Sequence, residues 1–183
     1  MNNVDVIKVK DGDVTLRRTV WETLRIPASG LNPPGPTNAP SRDEDDGTLL
    51  FAPSVENVVA STVGFPRSMC QTGMVMPHIH WAPTDGTDGN IVWQLDYTIV
   101  SVGVVPGPSF QFEIVASADG SEIHTISEFA TLPIQANYNS GDLVNGKLSR
   151  QGADERDTYA GDARLLEFSI GFQIDSIGSK YFI

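Results

Sequence analysis

The sequence predicts an all-β fold: an antiparallel β-sandwich, jelly-roll-like, with a long Pro/Gly-rich loop near the N-terminus. Three observations carry this expectation. The 17 Gly and 12 Pro among 183 residues punctuate the chain too often for long helices and suit short strands. Roughly eight to ten short runs read as strands, with turn signals about every 8–12 residues. No segment carries the apolar period of an amphipathic helix. A chain of this length is expected to form one domain, 1–183, with a core large enough to stand without disulfides or metals.

In order along the chain, Val4–Val9 and Val14–Val20 alternate apolar and polar residues about Asp11-Gly12 and predict a first hairpin. Trp21–Pro27 closes this part. Residues 27–47 read as an irregular segment: Pro33-Pro34-Gly35-Pro36 favours extended backbone, and Ser41–Gly47 is an acidic turn. That turn lacks the ligand alternation and distant glutamate of a helix-loop-helix calcium site. Residues 1–47 are therefore expected to form an arm and loop, and 48–183 the sandwich core. Thr48–Ala52 predicts a strand; Val55–Ala60 fits a strand or one helical turn. Met74–Trp81 and Ile91–Ser101, joined through Asp85-Gly86 and Asp88-Gly89, predict a hairpin at the centre of a sheet. Side-chain alternation puts Trp93, Leu95, Tyr97 and Ile99 on one face, and His78 and His80 together, opposite Ile79 and Trp81. Phe110–Ser117, Glu122–Ala130 and Leu143–Ser149 follow as strands, with Leu148 inward, and Leu132–Tyr138 reads either way. Leu165–Ile174 predicts a strand with Leu166, Phe168, Ile170 and Phe172 on its core face, and Lys180–Ile183 a short terminal one.

Lys+Arg 12 against Asp+Glu 23 gives a net charge of −11. Such a balance argues against direct binding to a nucleic-acid backbone, which needs a basic face. The single cysteine, Cys70, excludes an intrachain disulfide and any multi-cysteine metal site. No apolar run reaches the ~20 residues that span a bilayer, and the N-terminal stretch lacks the apolar core of a cleavable signal. Synthesis in the cytoplasm is expected, with no membrane partner.

The sharpest chemical signal is His78-Ile79-His80. Two imidazoles at i and i+2 of a strand project together and can share a divalent metal. Cupin-type jelly rolls use that device with a nearby glutamate, which this chain lacks; His124, Asp96 or Glu113 would have to complete the set. The plainer reading makes these histidines hydrogen-bonded polar positions on a sheet face or at a subunit boundary. No Gly-x-Ser-x-Gly elbow or phosphate-cradling loop is present. Arg150, Arg156 and Arg164 among Asp154, Glu155, Asp157 and Asp162 read as a solvated or inter-subunit ion-pair network. Trp21, Trp81, Trp93 and Tyr97 are candidates for core or inter-subunit aromatics, with sugar stacking as a further use.

Several blocks resemble a family of tailed-phage virion proteins. They are Trp21–Pro27 with its following Gly/Pro-rich loop, Met76-Pro77-His78-Ile79-His80-Trp81-Ala82-Pro83, and Trp93-Gln94-Leu95-Asp96-Tyr97. Leu148-Ser149-Arg150 through Asp157–Ala163 to Leu165–Phe168, closing with Asp175–Ser179, is similar to that family's C-terminal region. The family more often has histidine where this chain has Gly171. The resemblance implies a non-enzymatic β-sandwich subunit of a bacteriophage virion: capsid decoration, head fibre, or tail and neck. It would need no cofactor, be made in the host bacterial cytoplasm, and associate with itself, as a trimer for example, and with other virion proteins. Trp21, Pro33, Pro34, Trp81, Trp93 and Tyr97 are the expected interface residues, and 26–40 and Val4–Val9 the inter-subunit arms. The alternative is a cupin-like metal-binding protein or enzyme using His78 and His80.

Overall fold

The computed structural model describes residues 7–10, 13–132 and 141–177. Eleven strands run through them: β1 Ile7–Lys10, β2 Asp13–Pro27, β3 Ser41–Arg42, β4 Leu49–Phe51, β5 Val58–Gly64, β6 Val75–Pro83, β7 Asp88–Val100, β8 Phe110–Asp119, β9 Thr125–Glu128, β10 Leu143–Arg150 and β11 Ala163–Ser176. The only helical turn among the described residues is Ala28–Gly30. The strands form two antiparallel sheets, one of seven strands and one of four. The chain is thus an all-β, jelly-roll-like antiparallel sandwich.

In the larger sheet β11 is the spine. Along one side it pairs with β6, which carries β9; along the other it pairs first with β4 and then with β2, which carry β3 and β1. The smaller sheet runs β5-β10-β7-β8. The Met74–Trp81 and Ile91–Ser101 segments are therefore not a hairpin, as the sequence suggested. β6 belongs to the larger sheet and β7 to the smaller one, so residues 84–87 carry the chain between layers, while Asp88-Gly89 opens β7 rather than forming a turn. Each strand has one strongly apolar face, and stacking those faces buries both, whereas side-by-side pairing would cover only one.

The alternation expected for β7 holds. Trp93, Leu95 and Tyr97 point inward, with Ile99 packed against the same core. Trp81 and Trp93 are both 0% exposed, and their rings meet edge to face across the sandwich at 6.3 Å. Burial of such rings supplies several kcal/mol each, of order 25 cal/mol per Å² of apolar surface. The interface role expected for Trp81, Trp93 and Tyr97 is thereby corrected: these three are core. Burial also pushes the Tyr97 hydroxyl up to about 12. Along β11 the register shifts between Leu165 and Glu167. This bulge turns Leu165 inward (0% exposed) and leaves Leu166 half-buried, so the core set is Leu165, Phe168, Ile170 and Phe172.

β2 is longer than expected and takes in Trp21–Pro27. The long loop after it is tethered rather than free: Asn32 pairs with Ala60, and Asn57 donates to Ala39 O. Arg164 holds the acidic turn through Asp43 and Asp46 at 3.1 and 3.3 Å. Pro33 and Pro34 remain exposed and line an open groove of about 680 Å³ with Ile26, Asn32, Thr62 and Lys147. Val4 to Val6, the Asp11-Gly12 turn, most of Leu132–Tyr138 and the Lys180–Ile183 strand lie outside the described residues.

One end of the sandwich is sealed by charge, which corrects the expected solvated network. Arg150 and the Asp157 carboxylate are fully buried. Arg150 Nε and Nη2 donate to the two Asp157 oxygens at 3.0 and 2.7 Å. Its Nη1 donates to Phe51 O and Gly161 O, and its Nη2 also to Tyr159 O. Asp157 accepts in addition from the Val92 amide. A planar five-donor head fits this cage because each donor finds an oxygen. Arg156, bound to Asp154 and Glu113 at 2.7 and 2.9 Å, and Arg164, bound to Asp43 and Asp46, keep the surface character foreseen for the segment.

Candidate functional site: the histidine face of the larger sheet

The outward face of the larger sheet follows directly from strand alternation. With Ile79 and Trp81 inward, Met76, His78 and His80 point outward from β6. The register places His78 beside Ser169 and Glu128, and His80 beside Glu167 and Ile126. Ser169 is paired on its other side with Arg25, Gly171 with Thr23, and Gln173 with Trp21. One continuous outer surface therefore holds Trp21 and Arg25 from β2, Glu167 and Ser169 from β11, His78 and His80 from β6, and Ile126 and Glu128 from β9.

His124, just before β9, completes the group. The chain's three histidines thus all meet on this face. His80 Nδ1 lies 2.8 Å from His124 Nε2, and the ring centroids are 5.0 Å apart. That combination sets the ring edges toward each other in a hydrogen bond, with one nitrogen bare and the other protonated. His80 Nε2 faces Glu167 Oε1 at 3.8 Å, which suits His124 as donor and an Nε2–H on His80. Glu167 Oε1 also accepts from Ser169 Oγ at 2.5 Å and lies 3.6 Å from Arg25 Nε. Desolvation holds the His80 imidazole below its ordinary value; Glu167 opposes this, while His124, His78 and Arg25 reinforce it.

The expected metal set of His78, His80 and His124 does not close. The His78 ring lies 5.5 Å from that of His80, and its Nδ1 sits 3.3 Å from Met76 O. Among the described residues no group of three or more His, Cys, Asp or Glu is placed to hold a metal ion. Spacing at i and i+2 brings two imidazoles to one face but does not aim their nitrogens at one point. The convergence of His124 could be read only as one option among several, because a crossing between sheets decides it.

Trp21, expected at an interface, does stand at the surface, 48% exposed. It lies over the bare backbone of Gly171: a Cβ there would sit 3.8 Å from Trp21 Cε3 and 3.9 Å from His78 Cε1. Met74, just ahead of β6, and Ile126 are exposed on the same side. The outward face of the smaller sheet is of another kind. There Gln94 and Gln111 donate to Asp96, Lys147 pairs with Asp96 at 3.7 Å, and Thr62 donates to Asn145. Sequence reasoning missed this contrast, since both faces read as polar half-strands until pairing shows which residues share a row.

No protein-family model matches the chain, and no curated protein matches it. Several solved structures are similar in outline. One is the CBM36-1 domain of a multidomain xylanase from the hindgut metagenome of Trinervitermes trinervoides, at 13% identity, covering 81% of this chain and 96% of that one, with a TM-score of 0.45. Another is the structure of infectious bursal disease virus Gx strain, at 7% identity over 96% of this chain, which spans 38% of the viral chain, with a TM-score of 0.46. A third is the family 11 carbohydrate-binding module from Clostridium thermocellum, at 10% identity over 87% and 91% of the two chains, with a TM-score of 0.37. These likenesses concern strand arrangement and assign neither ligand nor partner.

Proposed function

We propose that this chain is a non-enzymatic structural subunit of a bacteriophage particle that acts by assembling with copies of itself. The observation that carries the reading is the β1–β2 arm. Among the described strands β1 pairs with β2 alone, and all four of its residues are exposed. Ile7 and Val9, paired with Leu16 and Val14, fall on the side of β2 that faces the core farther along. This apolar stripe continues past the smaller sheet, so Ile7 and Val9 stay 51% and 68% exposed. A two-stranded ribbon with such a face is marginal by itself and gains stability when another surface covers it. Extended arms of this kind serve subunits that gain order on assembly. The blocks of sequence that resemble tailed-phage virion proteins give the setting.

The test has two parts. Removing residues 1–18 should leave a folded sandwich that no longer self-associates in light scattering, whereas the full chain forms a closed oligomer. Antibody against the protein should label purified particles of the encoding phage. A full chain that stays monomeric at high concentration and is absent from particles overturns the reading.

A further inference from the structure

We infer that the β1–β2 arm of one copy docks along the open edge of β8 in the next copy and adds a strand to its smaller sheet. The inference rests on the homo-oligomeric arm reading above and names where the arm lands.

The backbone makes the first argument. Among the described strands β8 pairs with β7 alone, so one side of this ten-residue strand offers its amides and carbonyls to no strand. Such an edge is a template on which an added strand forms main-chain hydrogen bonds. The core beside it is incompletely covered. Phe110, Phe112 and Ile114 lie in the inward row of β8, paired with Tyr97, Leu95 and Trp93 of β7. Phe112 and Ile114 pack against the core yet stay half-buried. Phe110, stacked on Tyr97 at 5.2 Å, is 38% exposed. β1 has the matching alternation, with Ile7 and Val9 on one face and Lys8 and Lys10 on the other. Laid along β8, it turns Ile7 and Val9 over this apolar row. Its two lysines then join the outward row that holds Glu113 and Asp119.

Charge makes the second argument and selects the occupant. From Ser68 to Gly146, a stretch that includes β6 to β9, the sequence has eight Asp and Glu and no Lys or Arg. Residues 7–18 are the reverse: Lys8, Lys10, Arg17 and Arg18 against Asp11 and Asp13, a surplus of two positive charges on a chain of −11. On β8 itself the charged residues are Glu113 and Asp119, both exposed. Glu113 shares Arg156 with Asp154, and those three together keep one negative charge. Asp119 is set directly opposite Asp88 of β7, and like charges so placed are destabilising until a cation offsets them. A strand with lysine at alternate positions supplies that cation, and an acidic or wholly apolar segment does not. The arm is therefore matched to this edge in face, backbone and sign of charge.

The arm does not meet the β8 of its own chain. β1 lies outside β2, on the side where Ile26 of β2 and Ala60 of β5 line one groove. β8 is at the other side, next to β9. The contact thus joins two different patches of two copies, head to tail, and its repetition gives a ring when the rotation closes.

Light scattering coupled to size-exclusion chromatography, on untagged full-length protein with each variant checked by circular dichroism, tests this. The wild type should elute as a multiple of the 19.8 kDa chain. Its dissociation constant should rise at least about tenfold between about 0.05 and about 0.5 M salt. Lys8→Glu with Lys10→Glu on the arm, and Glu113→Lys with Asp119→Lys on the edge, should each give folded monomers. The chain with all four changes should assemble again. Amide hydrogen exchange in residues 110–119 should be slower in the wild-type oligomer than in the Lys8→Glu, Lys10→Glu monomer. If the edge variant assembles like the wild type and this exchange is not slowed, while loss of residues 1–18 still abolishes assembly, the edge is wrong and the arm reading stands. If both paired variants are monomers and the four-change chain stays one, the charge match that selects the edge is wrong. Assembly that survives loss of residues 1–18 removes the arm reading itself.

Discussion

Two places in this molecule gather titratable groups, and they handle them in opposite ways. At the sealed end, Arg150 and Asp157 lose all contact with water and recover it in full through oxygens of Phe51, Tyr159 and Gly161 and the amide of Val92. On the outer face of the larger sheet, His80 keeps partial contact with solvent, shares one proton with His124, and sees Glu167 only at 3.8 Å. The first arrangement has no spare donor. The second is looser, with the carboxylate nearest His80 Nε2 beyond hydrogen-bond distance. A fully satisfied buried pair fixes a fold, whereas a half-satisfied surface cluster responds to what approaches it or to pH.

The largest effect should come from emptying the first region. Arg150→Met leaves Asp157 as an uncompensated buried charge and should lower stability by about 3–5 kcal/mol, read from urea unfolding. A wild-type midpoint would mean that the cage does not hold the end closed. Next is Gly89→Ala. A methyl there would lie 2.6 Å from Tyr159 Cα and 2.7 Å from its amide nitrogen, so the loop segment that seals Arg150 must move, at about 1–3 kcal/mol. Unfolding within error of wild type would show that the close approach is relaxed in solution.

Smaller effects sharpen the second region. The His80 imidazole titrates below its ordinary value of 6.5 in the folded chain, so the unfolded chain binds that proton more readily. The stability it contributes is complete above 6.5 and is lost as the pH falls through the lowered folded value. His80→Gln should flatten that part of the stability curve; an unchanged slope would place the titration elsewhere. Trp21→Ala should alter urea unfolding by no more than about 0.5 kcal/mol, because its ring lies on the surface; a larger loss would mean that the ring's packing over Gly171 holds the sheet. Last is Asp154, which Arg156 holds down to about 2. Its contribution is present above 3.8 and fades as the pH falls toward about 2. Because the pair lies at the surface, Asp154→Asn should lower the neutral-pH midpoint only slightly in calorimetry and remove that loss of stability below pH 3.8.

The residues that were legible from sequence are those whose neighbours along the chain decide their surroundings. Trp93, Leu95 and Tyr97 announced a buried face through a period of two, and Leu148 did the same in β10. Arg150 was misread because its sequence neighbours, Asp154 to Asp157, are those of a solvated loop. What buries it is the closure of Phe51, Tyr159 and Gly161 around it from three separate segments. The bulge that turns Leu165 inward is likewise invisible locally, since Leu165 and Leu166 are equally apolar. His78 and His80 were grouped correctly by alternation, but the partner of His80, His124, is brought by β9 pairing on β6.

The sequence by itself determined the fold class, most of the strands and which side of each strand is apolar, because turn residues and a two-residue period act within a few positions. Only the tertiary structure decided which strands pair, that β6 and β7 lie in different layers, and that one set of charges is sealed while the histidines share an outer face. Those outcomes depend on contacts between segments far apart in the chain. There, packing and the satisfaction of buried polar groups outweigh any local preference.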